Sequence, residues 1–568
     1  MYHSVVKSIL AGLLLLVLAT CSEGDEAPSY DVIISGGTIY DGSGGEPYVA
    51  DIAIEGDRII AIGDLDEENA ITVIDAEGMA VAPGFINMLS WAPESLMING
   101  QGLSDLKQGV TLEVFGEGWS YGPWSDAMKA EVKKHQTDFQ YDIEWTTLGE
   151  YLDFMEAKGI SMNIASFVGA TTLRIHEVGY ENRPASEEEL ERMQELARTA
   201  MREGALGLGS ALIYAPANFA STEELIALAK AVGEFDGMYI SHMRSESGQI
   251  FEALEELITI AREAGVAAEV YHLKASGKPN WDKIEDVFAR IDAARAEGLH
   301  ITADIYTYPA SATGLDAVIP LWTQEGGDEE WFKRLRDPGL RARIIAEMTD
   351  ATNPSNRWVN VGPERILLIG FKNEKFKPYI GKFLSEVAEL RGEDPVETAL
   401  NLVAEDETRV DVIYFSMTEE NVRKKIAQPW VAFDSDEGAY SDDEIFTRNS
   451  AHPRAYGTFA RVLGKYVREE GVITLPEAIR RMTAFPAANL KLRDRGSLKE
   501  GFFADIVIFD AKTIIDHATF EDPRQYATGM IHVFVNGEQV LRGGDHTGSF
   551  PGRVVRGPGW VGWDQDGS

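Results

Sequence analysis

The sequence predicts an α/β protein, a (β/α)8 TIM-like barrel carrying a small β-sandwich domain formed from both chain ends. Three observations lead there. Short apolar strands alternate with amphipathic helices through the long middle of the chain, the pattern of repeated βα units. Short strands punctuated by turn residues occupy the two ends instead. Polar residues close successive central strands at intervals of roughly thirty residues, the length of one βα unit.

The elements follow in chain order. Residues 1–20 read "MYHSVVKSILAGLLLLVLAT", with Lys7 ahead of an apolar run over 9–19. That is a secretory signal pattern, too short for a spanning helix. Cys21 follows at once and is the single cysteine of the chain. The arrangement resembles a bacterial lipoprotein signal, in which Cys21 is lipidated and becomes the new N-terminus. Thr20 departs from that pattern, where a smaller residue is usual. An ordinary signal with an incidental cysteine is the competing reading. Residues 21–29 then form a polar tether. The expected location is exported, periplasmic or on the cell surface, with membrane attachment only through the N-terminal lipid. A single cysteine excludes an internal disulfide framework.

Residues 30–82 contain "YDVIISGGTIYDG", "DIAIEGDRIIAIGDL" and "ITVIDAEG", with turns at Gly36-Gly37 and Glu55-Gly56. Residues 497–560 repeat that texture in "GFFADIVIFDA" and in "IHVFVNGEQVLRGG", where Asn536-Gly537 marks a hairpin. These two segments are expected to pair as the β-sandwich. Between them, 83–496 is the barrel. Its strands are expected at 84–89, 112–117, 161–167 and 205–212, then in the runs ending at His242, His272 and Asp304, and at 431–434. The helix after His242 places Ile250, Leu254, Leu257 and Ala261 at helical spacing and stops at Gly265. Ser221 and Glu224 form a capping-box pattern. Residues 315–363 fit no βα unit and read as an insertion or lid.

At 568 residues, with 44% hydrophobic and 25% charged residues, the composition is that of a large globular protein. The net charge of −40 repels phosphate backbones and argues against nucleic-acid partners.

The strand ends hold the chemistry. His242 and His272 close consecutive strands, and imidazole is the commonest ligand for zinc-like ions. Glu117 ends the second strand between Gly116 and Gly118. Glu113 shares its strand face and offers a second carboxylate. Asp436 lies just past the last strand, placed for a general base and then a general acid, with Asp434 as its near competitor. Strand-end polar residues also cap helices and bind backbone, so the pattern by itself leaves both readings open.

The order of "VAPGFIN", "GVTLEVFGEG", "YISHMRSE", "YHLKASG", "DIYTYPASAT", "SAHPRAYGTFARVLGKY", "LKEGFFADIVIFD" and "HTGSFPGRVVRGPG" resembles the amidohydrolase superfamily. Within it, the chain is most similar to the N-acyl-D-amino-acid deacylases, or D-aminoacylases. The resemblance implies a metal-dependent hydrolase that splits the amide bond of a small N-acyl-D-amino acid. It implies that Glu117, His242 and His272 hold one Zn2+ ion, with other divalent transition metals tolerated. It implies that Asp436 moves the proton, and that Lys274, Arg454, Tyr306 and Tyr308 hold the substrate carboxylate. A loop salt bridge for Arg454 and barrel-wall packing for the tyrosines are the structural alternatives.

The chain also departs from the family. The first strand of the family ends in a metal-binding His-x-His, but Leu89 and Trp91 occupy those positions here, and Asn87 stands for the usual Asp. Ala170 stands where a His is common. These departures leave room for a catalytically silent, surface-anchored binding protein on the same barrel. Cyclic-amide or dipeptide cleavage is a further alternative, although no strand-tip lysine suits the carbamylated bridge such enzymes often use.

Overall fold

The computed structural model describes residues 30–564, so the signal-like segment, Cys21 and the tether lie outside the described residues. Eight parallel strands form the barrel: β1 Phe85–Asn87, β2 Val110–Phe115, β3 Asn163–Ser166 continued by Val168–Gly169, β4 Gly207–Ala211, β5 Met238–His242, β6 Ala268–Val270, β7 Ile301–Ile305 and β8 Val431–Phe433. All eight positions expected from sequence are occupied. Their residues are buried throughout, because helices cover the outside and side chains fill the inside. Neighbours pair in sequence order, with Ala211 opposite His242, Val270 opposite Ala303, and Ile305 opposite Phe433. The barrel closes between the ends of β1 and β8. Met88 donates its N–H to Phe433 O at 3.4 Å, Ser90 bridges Glu437, and Asp436 donates to Leu89 O at 2.9 Å.

The helices obey the periodicity that predicted them. Ile250–Ala264 buries Ile250, Leu254, Leu257 and Ala261 and ends at Gly265, whose φ is +70°. Each such leucine contributes roughly 2 kcal/mol by leaving water. Helix Thr222–Gly233 is capped by Ser221, whose hydroxyl accepts from Glu224 N at 3.2 Å. The reciprocal half of the expected capping box does not form. The Glu224 carboxylate is instead held by Arg174 Nη1 at 2.7 and 3.0 Å, a buried pair that outcompetes the cap.

The chain ends join in one hydrogen-bonded β network. Ala80–Pro83 pairs antiparallel with Ile506–Phe509, tying the N-terminal strands to the C-terminal ones. Ile34, Ile52, Ile54, Val81, Ile506, Ile508 and Phe534 form its core. Asn536 and Gly537, with φ of +50° and +81°, make the tight turn between Met530–Val535 and Glu538–Arg542, as that dipeptide predicts.

The insertion is larger than its sequence boundary of 315–363. It includes an antiparallel sheet of Ser311–Gly314, Ile366–Gly370 and Asp411–Tyr414, with Asp411–Tyr414 in the middle. Its separate core runs from Leu315 to Tyr414 through Trp331, Leu335, Leu368 and Leu400. The sequence boundary fell short because nothing local in the sequence sets Ile366–Gly370 and Asp411–Tyr414 apart from barrel material. This unit stands beside the mouth where the strands of the barrel end.

Candidate metal centre and substrate cavity

Three strand tips bring Glu117, His242 and His272 together. His242 is the last residue of β5, in register with Ala211 on β4. His272 lies two residues beyond β6, with φ of +36°, and its N–H is held by Asp304 Oδ1 at 2.5 Å. A histidine in the left-handed region is strained, and that strain sits at the site. Glu117 follows β2 after Gly116. Its Oε1 lies 2.8 Å from His242 Nδ1 and 2.9 Å from His272 Nε2. One donor atom from each residue lies within 4.8 Å of the other two. All three side chains are buried.

The electrostatics of this trio favour a positive charge at its centre. Burial alone would raise the Glu117 carboxyl, but the charges and hydrogen bonds of His272 and His242 outweigh it and hold it below the usual carboxylate range. Burial and Lys274 push His272 down, yet Asp436 and Glu117 push harder, and it stands at about 10. His242 Nε2 is buried with no hydrogen-bond partner. Two imidazole nitrogens and a carboxylate oxygen that meet at one buried point, His242 Nδ1, His272 Nε2 and Glu117 Oε1, are a donor set that fits zinc.

Glu246, which sequence reading missed, supports both histidines. Its Oε1 lies 3.3 Å from His272 Nδ1 and 3.5 Å from His242 Nε2, and it accepts from Lys274 Nζ at 2.6 Å. Such a carboxylate fixes the orientation of ligand rings. Its spacing of four residues from His242 was the signal available.

Asp436 sits across the mouth with φ of +48°. Its Oδ2 accepts from Arg454 Nη1 at 2.6 Å. Burial pushes its carboxyl up, and Arg454 and His272 hold part of that back. Its competitor Asp434 is fully buried, does not line the cavity, and is pushed up to about 7 by burial and by Asp436. Glu113 is likewise a buried internal group. It accepts from Asn87 Nδ2 at 2.9 Å and is raised to about 7 by burial.

Lys274 and Arg454 both line the cavity. Lys274 Nζ also lies 2.8 Å from His272 Nδ1. The Tyr306 ring backs both cations, with Arg454 at 4.6 Å and Lys274 at 5.6 Å from its centre, so it acts from behind the cavity wall. Tyr308 is a correction. Its hydroxyl donates to Asp516 Oδ2 at 3.0 Å and its ring packs on His452 and Phe520, away from the cavity. Its bond to the half-buried Asp516, 208 residues away in the chain, places Tyr308 apart from Tyr306.

The tip of β1 carries no ligand. Leu89 is buried in the barrel interior with Ile86, Val114 and Phe167. Trp91 lines the cavity, and its Nε1–H donates to Glu117 Oε2 at 3.0 Å. The cavity holds about 520 Å3 and opens between the strand tips and the insertion, which contributes Thr313, Arg357, Arg409 and Asp411.

Four similarities to known proteins bear on this arrangement. The pattern of the Amidohydrolase family matches residues 72–541. A D-aminoacylase of Alcaligenes xylosoxydans xylosoxydans is 34% identical over 537 residues, covering 94% of this chain and 99% of its own. A solved D-aminoacylase structure, described as having a binuclear metal centre with one-metal activation and second-metal attenuation, is 31% identical, covers 93% of this chain and all of its own, and superposes with a TM-score of 0.76. An N-acyl-D-glutamate deacylase from Bordetella bronchiseptica, solved with zinc and a phosphonate mimic of the tetrahedral intermediate, is 29% identical with the same coverage and TM-score.

Proposed function

The chain belongs to the amidohydrolase family, and from that premise we propose that it is a metal-dependent deacylase of N-acyl-D-amino acids, yielding a carboxylic acid and a free D-amino acid. The observation that carries this reading is the convergence of Glu117, His242 and His272 on one point at the head of a substrate-sized cavity. These three would hold zinc, which when bound supplies a Lewis acid and an acidified water.

The remaining steps belong to side chains of the chain itself. Arg454 engages Asp436 Oδ2 and leaves Oδ1 to take the proton of the attacking water. The same oxygen then returns that proton to the departing amine nitrogen. Lys274 and Arg454 supply the positive field for the substrate carboxylate. Arg454 contributes a planar fork and Lys274 a point charge. Tyr306 keeps both cations in place. Trp91 holds the second oxygen of Glu117 and so fixes which oxygen faces the histidines.

Hydrolysis of N-acetyl-D- and N-acetyl-L-amino acids, followed before and after chelation and after zinc is restored, tests the reading. D-selective release that stops on chelation and returns with zinc is the expected result. A protein loaded with zinc that turns over neither enantiomer would leave the binding-protein alternative in its place. Export with lipidation at Cys21 is part of the same proposal, supported by "LLLLVLATC". Labelled fatty acid should enter the wild-type protein in its host and not Cys21→Ser.

A further inference from the structure

Four cations line the cavity, and three of them are already spoken for. Lys274 pairs with Glu246 at 2.6 Å, Arg454 with Asp436 at 2.6 Å, and Arg409 with Asp316 at 3.0 Å. Arg357 is different. Among the described residues its side chain makes neither an ion pair nor a hydrogen bond, and it packs over the face of Tyr414, at 5.2 Å from the ring centre. In a chain of net charge −40, carboxylates are plentiful, so a cavity-facing guanidinium without one calls for a reason.

Arg357 is also held in place. It opens the short helix Arg357–Val361, whose cap Asn356 accepts from Val359 N at 3.2 Å. The Asn356 amide donates to the carbonyls of Glu347, Met348 and Asp350. Trp358 and Val361 anchor the helix in the core of the insertion. The segment is seated on the two loops that follow His242 and His272. A Cβ at Gly248 would lie 2.5 Å from the Pro354 carbonyl carbon, and one at Gly277 would lie 2.9 Å from Asn360 Cβ. Only glycines allow so close an approach, and Gly277 has a φ of +85° as well. The insertion therefore fixes Arg357 relative to the metal-binding trio.

We propose that Arg357 receives a second carboxylate of the substrate, so that the preferred substrates are N-acyl-D-amino acids carrying two acidic groups. This rests on the deacylase reading above. Lys274 and Arg454 serve the α-carboxylate beside Asp436, and Arg357 serves the other from the insertion side of the same cavity. A guanidinium that is free in the resting protein gives up no internal pair when it binds a carboxylate in bidentate fashion. The second carboxylate belongs either to an acidic side chain or to a dicarboxylic acyl group.

The test compares kcat/KM for N-acetyl-D-aspartate, N-acetyl-D-glutamate, N-succinyl-D-leucine and N-acetyl-D-leucine in the wild-type protein, Arg357→Met and Arg357→Lys. At least one diacid should exceed N-acetyl-D-leucine by about 10-fold or more, and which diacid does so tells which end carries the charge. Arg357→Met should lower that diacid about 10- to 100-fold, chiefly through KM, the scale of one lost charged hydrogen bond. N-acetyl-D-leucine should stay within about twofold, and Arg357→Lys should fall between. Equal losses for diacid and neutral substrates, or a wild-type preference for the neutral one, overturn the proposal. If nothing is hydrolysed, the deacylase reading fails by itself. Calorimetric binding of the same three diacids then decides the role of Arg357. Binding of any of them that is lost in Arg357→Met upholds it, and no binding or no difference overturns it.

Discussion

The tips of β1 and β5 open on the same mouth, yet they serve it differently. β5 delivers an imidazole, and His242 touches Glu117 through Nδ1 at 2.8 Å. β1 delivers backbone. Leu89 O accepts from Asp436 N at 2.9 Å, Ser90 bridges Glu437, and the side chain of Leu89 turns into the apolar interior. Only Trp91 returns to the site, through its hydrogen bond to Glu117 Oε2. A strand can therefore hold Asp436, the proposed general base, in place with its main chain while its own side chains supply no ligand. The absence of ligands on β1 removes one potential set of donors and leaves the other set intact.

Substitutions at the two tips should separate these roles. The largest effect is expected at the trio. Glu117→Ala, His242→Ala and His272→Ala should each abolish tight metal binding and lower kcat/KM by about a thousandfold or more, read by metal analysis and turnover together. Leu89→Ala should do the reverse, keeping the metal while costing about 2–5 kcal/mol of stability in chemical denaturation. Next comes Asp436→Asn, where kcat should fall by about 10^2- to 10^4-fold with metal content unchanged. Loss of metal in that variant would place Asp436 among the ligands. Trp91→Phe keeps the ring and removes the donor. Metal affinity measured by competition with a chelator should weaken by about 10- to 100-fold, the usual cost of losing a partner that orients a ligand.

The smallest effect concerns the barrel interior below the tips. Burial raises the carboxyls of Glu113 and Glu269 to about 7. Groups raised in this way bind protons more tightly in the folded state than in the unfolded chain. The stability they contribute is complete below the unfolded carboxylate range near 4.5 and is lost as pH rises through about 7. The Tm should fall between about pH 5 and pH 8, and Glu113→Gln with Glu269→Gln should flatten that slope. A Tm that climbs across the same range would contradict the assignment.

The barrel was legible because its signals are local. Apolar strands of a few residues, helices of period 3.6 and the spacing of strand-end residues need no knowledge of distant packing. The trio was legible for the same reason, since each member stands at a strand tip. Glu246, Arg357 and Arg409 were not, because loops and the insertion decide where they point. Tyr308 and Glu224 were misread through partners far off in sequence, Asp516 for one and Arg174 for the other. The end of the insertion was misplaced because Ile366–Gly370 and Asp411–Tyr414 have strand composition and reveal their antiparallel pairing only in three dimensions.

The most direct measurement is zinc content per chain in the wild-type protein, in Glu117→Ala and in Leu89→Ala, after zinc is supplied and excess removed. About one ion per chain in the wild type and in Leu89→Ala, with none in Glu117→Ala, is what the account predicts. A wild-type protein that holds no metal, or a Glu117→Ala variant that holds as much as the wild type, would contradict it.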